Sequence, residues 1–355
     1  MKMIFGAPQY YVQGPDILKE TAEHLRALGV TGRKVLVLID PGVRRCVQPM
    51  LESLDAANFH YDLKSYEDSV HLDRIAAFIE TLDRDYECVI GAGGGKAIDT
   101  AKRVKWALGC KLVTIPTSIA TDACTSRTAV AYGAQDQIVE DKTLFNPDGV
   151  IADTRVLVNA PMFLFAAGLG DAISKRYEYL LAKKNGQGNW YDAEPAFFID
   201  TVSREMHEFL LKNGRYLKNC FENHIVNDTV EKGITAMFLM SRLVWDAGGL
   251  RGAHDMFEEY HDAGYGDKTL HGNVVGFFDL VQMLLEGYPE NEFEELYALY
   301  KEVGVPTRIS EMTFPVDDEK ALDDLAERML KKCANFAFYP TKERFIEVIK
   351  YLEAR

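Results

Sequence analysis

Between Lys34 and Asp40 the chain reads Val-Leu-Val-Leu-Ile with no polar interruption. A run that short and that apolar, closed by charge at both ends, is the pattern of a strand buried on both faces of a parallel sheet. Its neighbours alternate in kind. Helical periodicity covers 17–29, stopping at Gly29, and returns over 43–55, 71–83 and 95–108. Strand-like runs fall at 59–65, 87–91 and 110–115. This alternation predicts a doubly wound α/β domain with a parallel, Rossmann-like sheet. Residues 126–133 and 136–144 read as a polar-tipped hairpin around Gly133. After Pro161 long helical patterns run to the C-terminus, broken by a glycine-rich, acidic stretch around 185–200. A second, all-helical domain follows from that change of grammar, giving domains 1–157 and 158–355.

Composition narrows the partners. A net charge of −14 repels nucleic acid and anionic membranes alike. No run approaches the length of a membrane span, and the opening Met-Lys-Met-Ile-Phe-Gly lacks a long apolar signal core. The six cysteines form no CxxC pair, and Cys88 and Cys110 sit in strand-like contexts as small core residues. A cytoplasmic protein acting on a small molecule is the expectation.

Candidate chemistry concentrates at 88–102, where a short apolar run ends in Gly91, Gly93, Gly94 and Gly95, and a helical pattern starts at once at Lys96. Glycines leave the backbone bare, and the first-turn amides of the next helix have no intrahelical partners. Strand, bare turn and helix N-terminus together make an anion cradle, most often for phosphate. It is not a P-loop, because Lys96 is followed by Ala97 and the position five before Gly95 is Ile90. A G-x-G-x-x-G fingerprint fails at its third place, which is Lys96.

The longer pattern Gly93-Gly-Gly-Lys-x-x-Asp-Thr-Ala-Lys102 resembles the glycerol dehydrogenase branch of the metal-dependent (iron- or zinc-containing) alcohol dehydrogenase family, within the dehydroquinate synthase-like superfamily. The likeness runs in order over residues 4–285. It takes in Tyr11-Val-Gln-Gly14, Ile115-Pro-Thr-Ser118, Thr121-Asp-Ala123, Asn146-Pro-Asp148, Asp153-Thr154 and Ala160-Pro161. Ala167-Gly-Leu-Gly-Asp171, Ala253-His254 and His271-Gly272 complete it.

The resemblance implies that NAD sits on Gly93, Gly94, Gly95 and Lys96. Asp99, Thr117, Ser118, Thr121, Ser126, Thr128 and Tyr132 join the same site, with Ser126 and Thr128 flanking the nicotinamide. The residues support part of this directly. Thr117, Ser118 and Thr121 follow the strand ending at Ile115, and a doubly wound sheet binds ligands at the carboxyl ends of its strands. Asp40 closes the Val35–Ile39 run, where a carboxylate holds ribose hydroxyls and repels a 2′-phosphate, favouring NAD over NADP. Arg44 and Arg45 pull the other way, and a helix N-cap explains Asp40 as well. Asp122 is a substrate ligand by resemblance, or an Asx-turn residue.

By resemblance, too, Asp171, His254 and His271 bind one divalent metal, Zn2+ in preference to Fe2+. One carboxylate and two imidazoles leave a position open for a substrate oxygen. One departure stands out. Glycerol dehydrogenases carry a second histidine three residues after the first helix ligand, and that place is Phe257 here; four residues on, where longer-chain relatives carry it, is Glu258. His261 faces another way. The pocket is then more apolar, any proton relay moves to Asp255, Glu258 or water, and glycerol becomes a poor substrate. Lys102 reads as a solvated surface lysine. Lys175 and Glu178, on the face of Asp171, are either supports for the metal or an exposed ion pair.

The implied activity is hydride transfer between a small alcohol, polyol or hydroxyacid and NAD, in a cleft between the domains of a homo-oligomer (dimer or higher). Three rivals stay open. They are a phosphopolyol dehydrogenase, kept alive by Arg251 beside His254, a dehydroquinate synthase-like sugar-phosphate cyclase drawing on Lys175, Arg176 and Arg251, and a non-catalytic NAD-binding relative.

Overall fold

The computed structural model describes residues 2–66, 70–133, 138–140, 145–266, 269–336 and 340–355. The chain forms two compact units, Gly6–Pro161 with Cys220–Ile234, and Met1–Phe5 with Met162–Asn219 and Thr235–Arg355.

The first unit carries β1 (Tyr10–Gly14), α1 (Thr21–Ala27), β2 (Val35–Ile39), α2 (Gln48–Ala56), β3 (Tyr61–Ser65), α3 (Leu72–Glu80), β4 (Cys88–Gly93) and α4 (Gly95–Leu108). It continues with β5 (Lys111–Pro116), β6 (Val130–Tyr132), β7 (Ile138–Glu140), β8 (Gly149–Asp153) and α5 (Thr154–Val158). Six strands form one sheet in the order β1-β8-β5-β4-β2-β3, every pairing parallel. The hydrophobic pattern does not single out β1 or β8. The first is a half-buried edge strand and the second holds only three apolar residues in a row. Strands β6 and β7 pair antiparallel, as a hairpin requires; residues 134–137 and 141–144 of that expected hairpin lie outside the described residues.

Burial of β2 sets the architecture. Val35, Val37 and Ile39 pack with Leu25 of α1 and Met50, Leu51 and Leu54 of α2. Leu36 and Leu38 pack on the opposite face with Ala101 and Val104 of α4. All five are 2% exposed or less, and each fully buried side chain of this size contributes about 1.5–3 kcal/mol. Because α2 and α4 cover opposite faces, the loops leaving β2 and β4 diverge, which opens a crevice at the carboxyl edge between them. Asp40 and Gly93 meet there, with Asp40 N–H donating to Ala92 O at 3.1 Å. Gly93 has φ +155°, and a Cβ on it would stand 2.7 Å from Ala97 Cβ and 3.0 Å from Asp40 Cβ. Only glycine fits.

The connectivity is more involved than one cut at residue 157. Segment Cys220–Ile234 belongs with the sheet because Glu231 accepts from Gln13 Nε2 at 2.6 Å and from Thr154 Oγ1 at 2.8 Å. Asp153 likewise ties the start of α5 to the Asp16–Leu18 turn through its two oxygens.

The helical elements are α6 (Met162–Lys184), α7 (Ile199–Glu222), α8 (Asp228–Thr235), α9 (Ser241–Gly248), α10 (Ala253–Asp262), α11 (His271–Glu286), α12 (Glu290–Val303), α13 (Glu319–Lys332) and α14 (Lys342–Glu353). The expected break at 185–200 is the link from α6 to α7. A π-helical stretch, Ala236–Met240, leads into α9. Helices α6 and α11 approach through glycines: a Cβ on Gly272 would stand 1.9 Å from Ala167 O, and one on Gly170 would stand 2.6 Å from Gly272 O. That contact puts Asp171 beside His271. Among the described residues no helix is long and apolar enough to cross a membrane.

Candidate metal centre and cofactor cradle

Asp171 of α6, His254 of α10 and His271 of α11 converge, with one donor atom from each lying within 4.8 Å of the others. His254 Nε2 is 3.3 Å from Asp171 Oδ1, His271 Nε2 is 3.7 Å from it, and the two Nε2 atoms are 3.3 Å apart. A tetrahedral zinc with bonds of about 2.0–2.1 Å has donor-to-donor edges of roughly 3.3–3.4 Å. Asp171 Oδ1 is buried without a hydrogen-bond partner, and its other oxygen is held. An orphaned buried carboxylate oxygen facing two imidazoles fits a cation.

The surroundings fix each donor. Lys175 Nζ donates to Asp171 Oδ2 at 3.1 Å and to Ser241 Oγ at 2.8 Å. Glu178 Oε1 accepts from His254 N–H at 2.7 Å, and Oε2 accepts from His254 Nδ1 at 2.6 Å. The second bond fixes a hydrogen on Nδ1, so that Nε2, turned toward the donor cluster, is the nitrogen a metal would take. The first also satisfies an amide in the opening turn of α10, where Ala253 N–H goes to Gln282 Oε1 at 3.1 Å and Gly252 N–H to Asp255 Oδ2 at 2.9 Å. Lys175 and Glu178 are fully buried, so the exposed ion pair is ruled out, and both bond directly to members of the donor cluster.

Electrostatics agree with the geometry. Burial opposes a charged His254, yet Glu178 and then Asp171 outweigh it and keep the ring protonated up to about 10. Burial also opposes a charged Asp171, but Lys175 and the imidazoles hold it well below the usual carboxylate range. An entering metal must displace the proton from His254.

Aromatic rings wall the cluster. Trp245 meets His254 edge-on at 4.6 Å, and Phe257 meets His271 edge-on at 4.3 Å. Phe257 therefore stands against a donor ring, and His271 keeps 36% of its side chain exposed. The relay expected at Asp255 or Glu258 finds both carboxylates occupied, by Arg251 and Gly252 N–H in the first case and Lys332 in the second. His261 is buried, its ring 6.1 Å from that of Phe257.

In the sheet unit, α4 starts at Gly95 with Gly94 as its N-cap, and no side chain caps its first turn. Gly94 has room, the nearest atom to an added Cβ being Ser118 Oγ at 3.8 Å, whereas a Cβ on Gly95 would crowd Thr121 Cγ2 at 3.3 Å. Thr117 N–H donates to Gly93 O at 3.1 Å, which brings the hydroxyl segment to the cradle. Lys96 is exposed beside it. Asp40 accepts from Gly42 N–H at 2.9 Å, so it is a cap at the crevice edge. Asp122 is buried, its carbonyl accepting from Thr125 N–H and Oγ1. Tyr132, half-buried, lies 5.7 Å from the His71 ring.

Lys102 overturns its sequence reading. It is 1% exposed, and its ammonium donates to Asp99 Oδ1 at 2.9 Å, Ser126 Oγ at 2.7 Å and Thr128 O at 2.6 Å. The polar face of α4 is covered by the 126–129 segment, which helical periodicity alone does not reveal. Ser126 Oγ also donates to Thr128 O at 3.0 Å, so that hydroxyl holds its own loop together. Ser241 and Trp245, which shape the metal cluster, carry no sequence signal.

The model of the family described as iron-containing alcohol dehydrogenase matches residues 12–161. A glycolaldehyde reductase of Halobacterium salinarum is 30% identical, covering 92% of this chain and 90% of that protein. A glycerol dehydrogenase of Thermotoga maritima is 29% identical, with 92% and 89% covered. The crystal structure of a probable glycerol dehydrogenase from Sinorhizobium meliloti 1021 superposes with a TM-score of 0.87 at 25% identity, over 99% of both chains. The chain belongs to the iron-containing alcohol dehydrogenase family, in its glycerol dehydrogenase-like branch, and is an NAD- and metal-dependent alcohol or polyol dehydrogenase.

Proposed function

We propose that the chain interconverts a small, sparsely hydroxylated alcohol with its carbonyl compound, an aldehyde or 2-oxoacid. NAD rests on the Gly93–Lys96 cradle, and one divalent ion, Zn2+ before Fe2+, is held by Asp171, His254 and His271. The carrying observation is the buried, unpartnered Asp171 Oδ1 facing two imidazole nitrogens at 3.3 and 3.7 Å. When bound, the ion supplies a Lewis acid for the substrate oxygen and the nicotinamide a hydride acceptor. The chain's residues do the placing. Glu178 holds the His254 tautomer, Asp40 meets the ribose hydroxyls, and Thr117, Ser118 and Thr121 edge the cofactor. Asp122 is assigned to the substrate, Ser126 and Thr128 to the nicotinamide, and Asp99 and Tyr132 to the cofactor site. With Asp255 and Glu258 tied to cations, the hydroxyl proton leaves by water.

Phe257 supports the substrate class, because a phenyl edge against His271 removes a polar partner for a further hydroxyl. A relative named for glycolaldehyde reduction is in keeping with it. Phosphate-bearing substrates are disfavoured: Lys175 is bound to Asp171, Arg176 to Asp200 and Ser203, and Arg251 to Asp255. A relict binder would have no reason to keep this donor set. The sheet unit is the dinucleotide domain and the helical unit the metal and substrate domain. Six unpaired cysteines suit a reducing compartment, and we place the protein in the cytoplasm as a homo-oligomer.

The test is the ratio of catalytic efficiencies for glycerol and a monohydroxy competitor, in wild type and Phe257→His. Wild type should favour the competitor by roughly 10- to 200-fold at most, and the substitution should shift the ratio toward glycerol. A wild type that prefers glycerol, or an unmoved ratio, removes Phe257 from the pocket.

A further inference from the structure

We propose that Lys175 is a positioning residue that restricts Asp171 to one metal-facing oxygen, keeping a coordination position open for substrate and weakening metal binding in doing so. The inference rests on the metal reading above. Lys175 lies one turn after Asp171 on α6, with a side chain 0% exposed. Its ammonium reaches Asp171 Oδ2 at 3.1 Å and Ser241 Oγ at 2.8 Å, and stands 5.5 Å from the centre of the Trp245 ring. Asp171 is thereby split: Oδ2 is committed to a cation, and Oδ1 alone faces His254 and His271.

A buried ammonium beside a dication site is an odd choice if tight binding were the only requirement, since like charges repel strongly where water is excluded. Its geometry gives the reason. A carboxylate with both oxygens free can chelate a cation, and chelation would fill the position a substrate oxygen needs. Hydrogen bonding one oxygen to Lys175 prevents that turn, and it draws charge from the ligand, which sharpens the acidity of the ion. Ser241 anchors the ammonium from the first turn of α9, directly after the π-helical stretch, a local widening that recurs at functional sites.

The experiment measures Zn2+ affinity by chelator competition and the Co2+ visible spectrum in wild type, Lys175→Met and Lys175→Arg. With the buried like charge gone, Lys175→Met should bind Zn2+ at least about tenfold more tightly, show a Co2+ spectrum shifted toward higher coordination number, and turn over alcohol more slowly. Lys175→Arg, which keeps charge and donors, should return affinity and spectrum toward wild type. A residue that merely stabilises the fold would weaken metal binding and activity together. Unchanged or weaker Zn2+ affinity in folded Lys175→Met overturns the proposal and leaves the metal reading intact, whereas a wild type that binds no metal overturns both. Should Lys175→Met not fold, Ser241→Ala decides: severalfold tighter Zn2+ binding supports the proposal, and unchanged or weaker binding overturns it.

Discussion

Replacing Glu178 by Gln is the sharpest probe of how the helices prepare a ligand. The side chain keeps its size, so packing survives, but its chemistry no longer matches. Glu178 accepts twice, from His254 N–H at 2.7 Å and from Nδ1 at 2.6 Å, and both partners are donors. Glutamine offers one acceptor and one donor. If its oxygen takes the backbone amide, its NH2 faces Nδ1, and the ring must present a lone pair there and carry its hydrogen on Nε2, the nitrogen that should bind metal. If its oxygen takes Nδ1, a buried amide of α10 loses its acceptor. Either way Nδ1–H loses its carboxylate acceptor, a hydrogen bond to a charged group worth about 1.5–3 kcal/mol, or roughly 10- to 150-fold in metal affinity. Isothermal titration of Zn2+ into chelated wild type and Glu178→Gln reads this directly, with NAD binding as the control that should not move. A folded variant within twofold of wild-type affinity would refute the reasoning.

Gly94→Val puts a branched side chain where only Ser118 Oγ lies within 4 Å, so the fold should hold. Losing even one charge-assisted bond to pyrophosphate should lower NAD affinity at least about tenfold by calorimetry, and unchanged affinity would move the cofactor elsewhere. Asp40→Ser can still cap Gly42 N–H while removing the charge, so the NADP-to-NAD ratio of kcat/KM should rise; a wild type that already favours NADP contradicts the assignment. Burial, with Arg176 behind it, pushes His207 down from 6.5 to about 4. The unfolded chain therefore takes up a proton that the folded one refuses, and stability should fall as pH drops from about 6.5 toward 4. Urea midpoints should fall less between neutral and mildly acid pH in His207→Gln, and equal falls would clear His207 of the effect.

What the sequence discloses follows from how far each signal reaches along the chain. Strand β2 is legible because its five apolar residues are buried on both faces; β8 hides because three apolar residues suit many structures. The cradle is legible because glycine, strand and helix start are neighbours in sequence. Asp171, His254 and His271 become a site only through family likeness, since three helices must cross to join them, although the glycines of Gly170-Asp171 and His271-Gly272 are the very residues that let α6 and α11 touch. Lys102 misleads because a helical wheel shows which way a residue points and not what the next loop lays over it. Ser241 and Trp245 are invisible for a related reason: a π-helical stretch shifts the register just ahead of them.

The central claim is that a single metal at Asp171, His254 and His271 is required for NAD-linked oxidation of a small alcohol. Chelated protein titrated with Zn2+, with NADH formation followed from a small diol, tests it most directly. Activity should be absent at the start, return linearly and stop rising at one equivalent per chain, while His271→Ala stays inactive over the same range. Full turnover by the chelated protein, or wild-type activity in His271→Ala at one equivalent, would contradict the account.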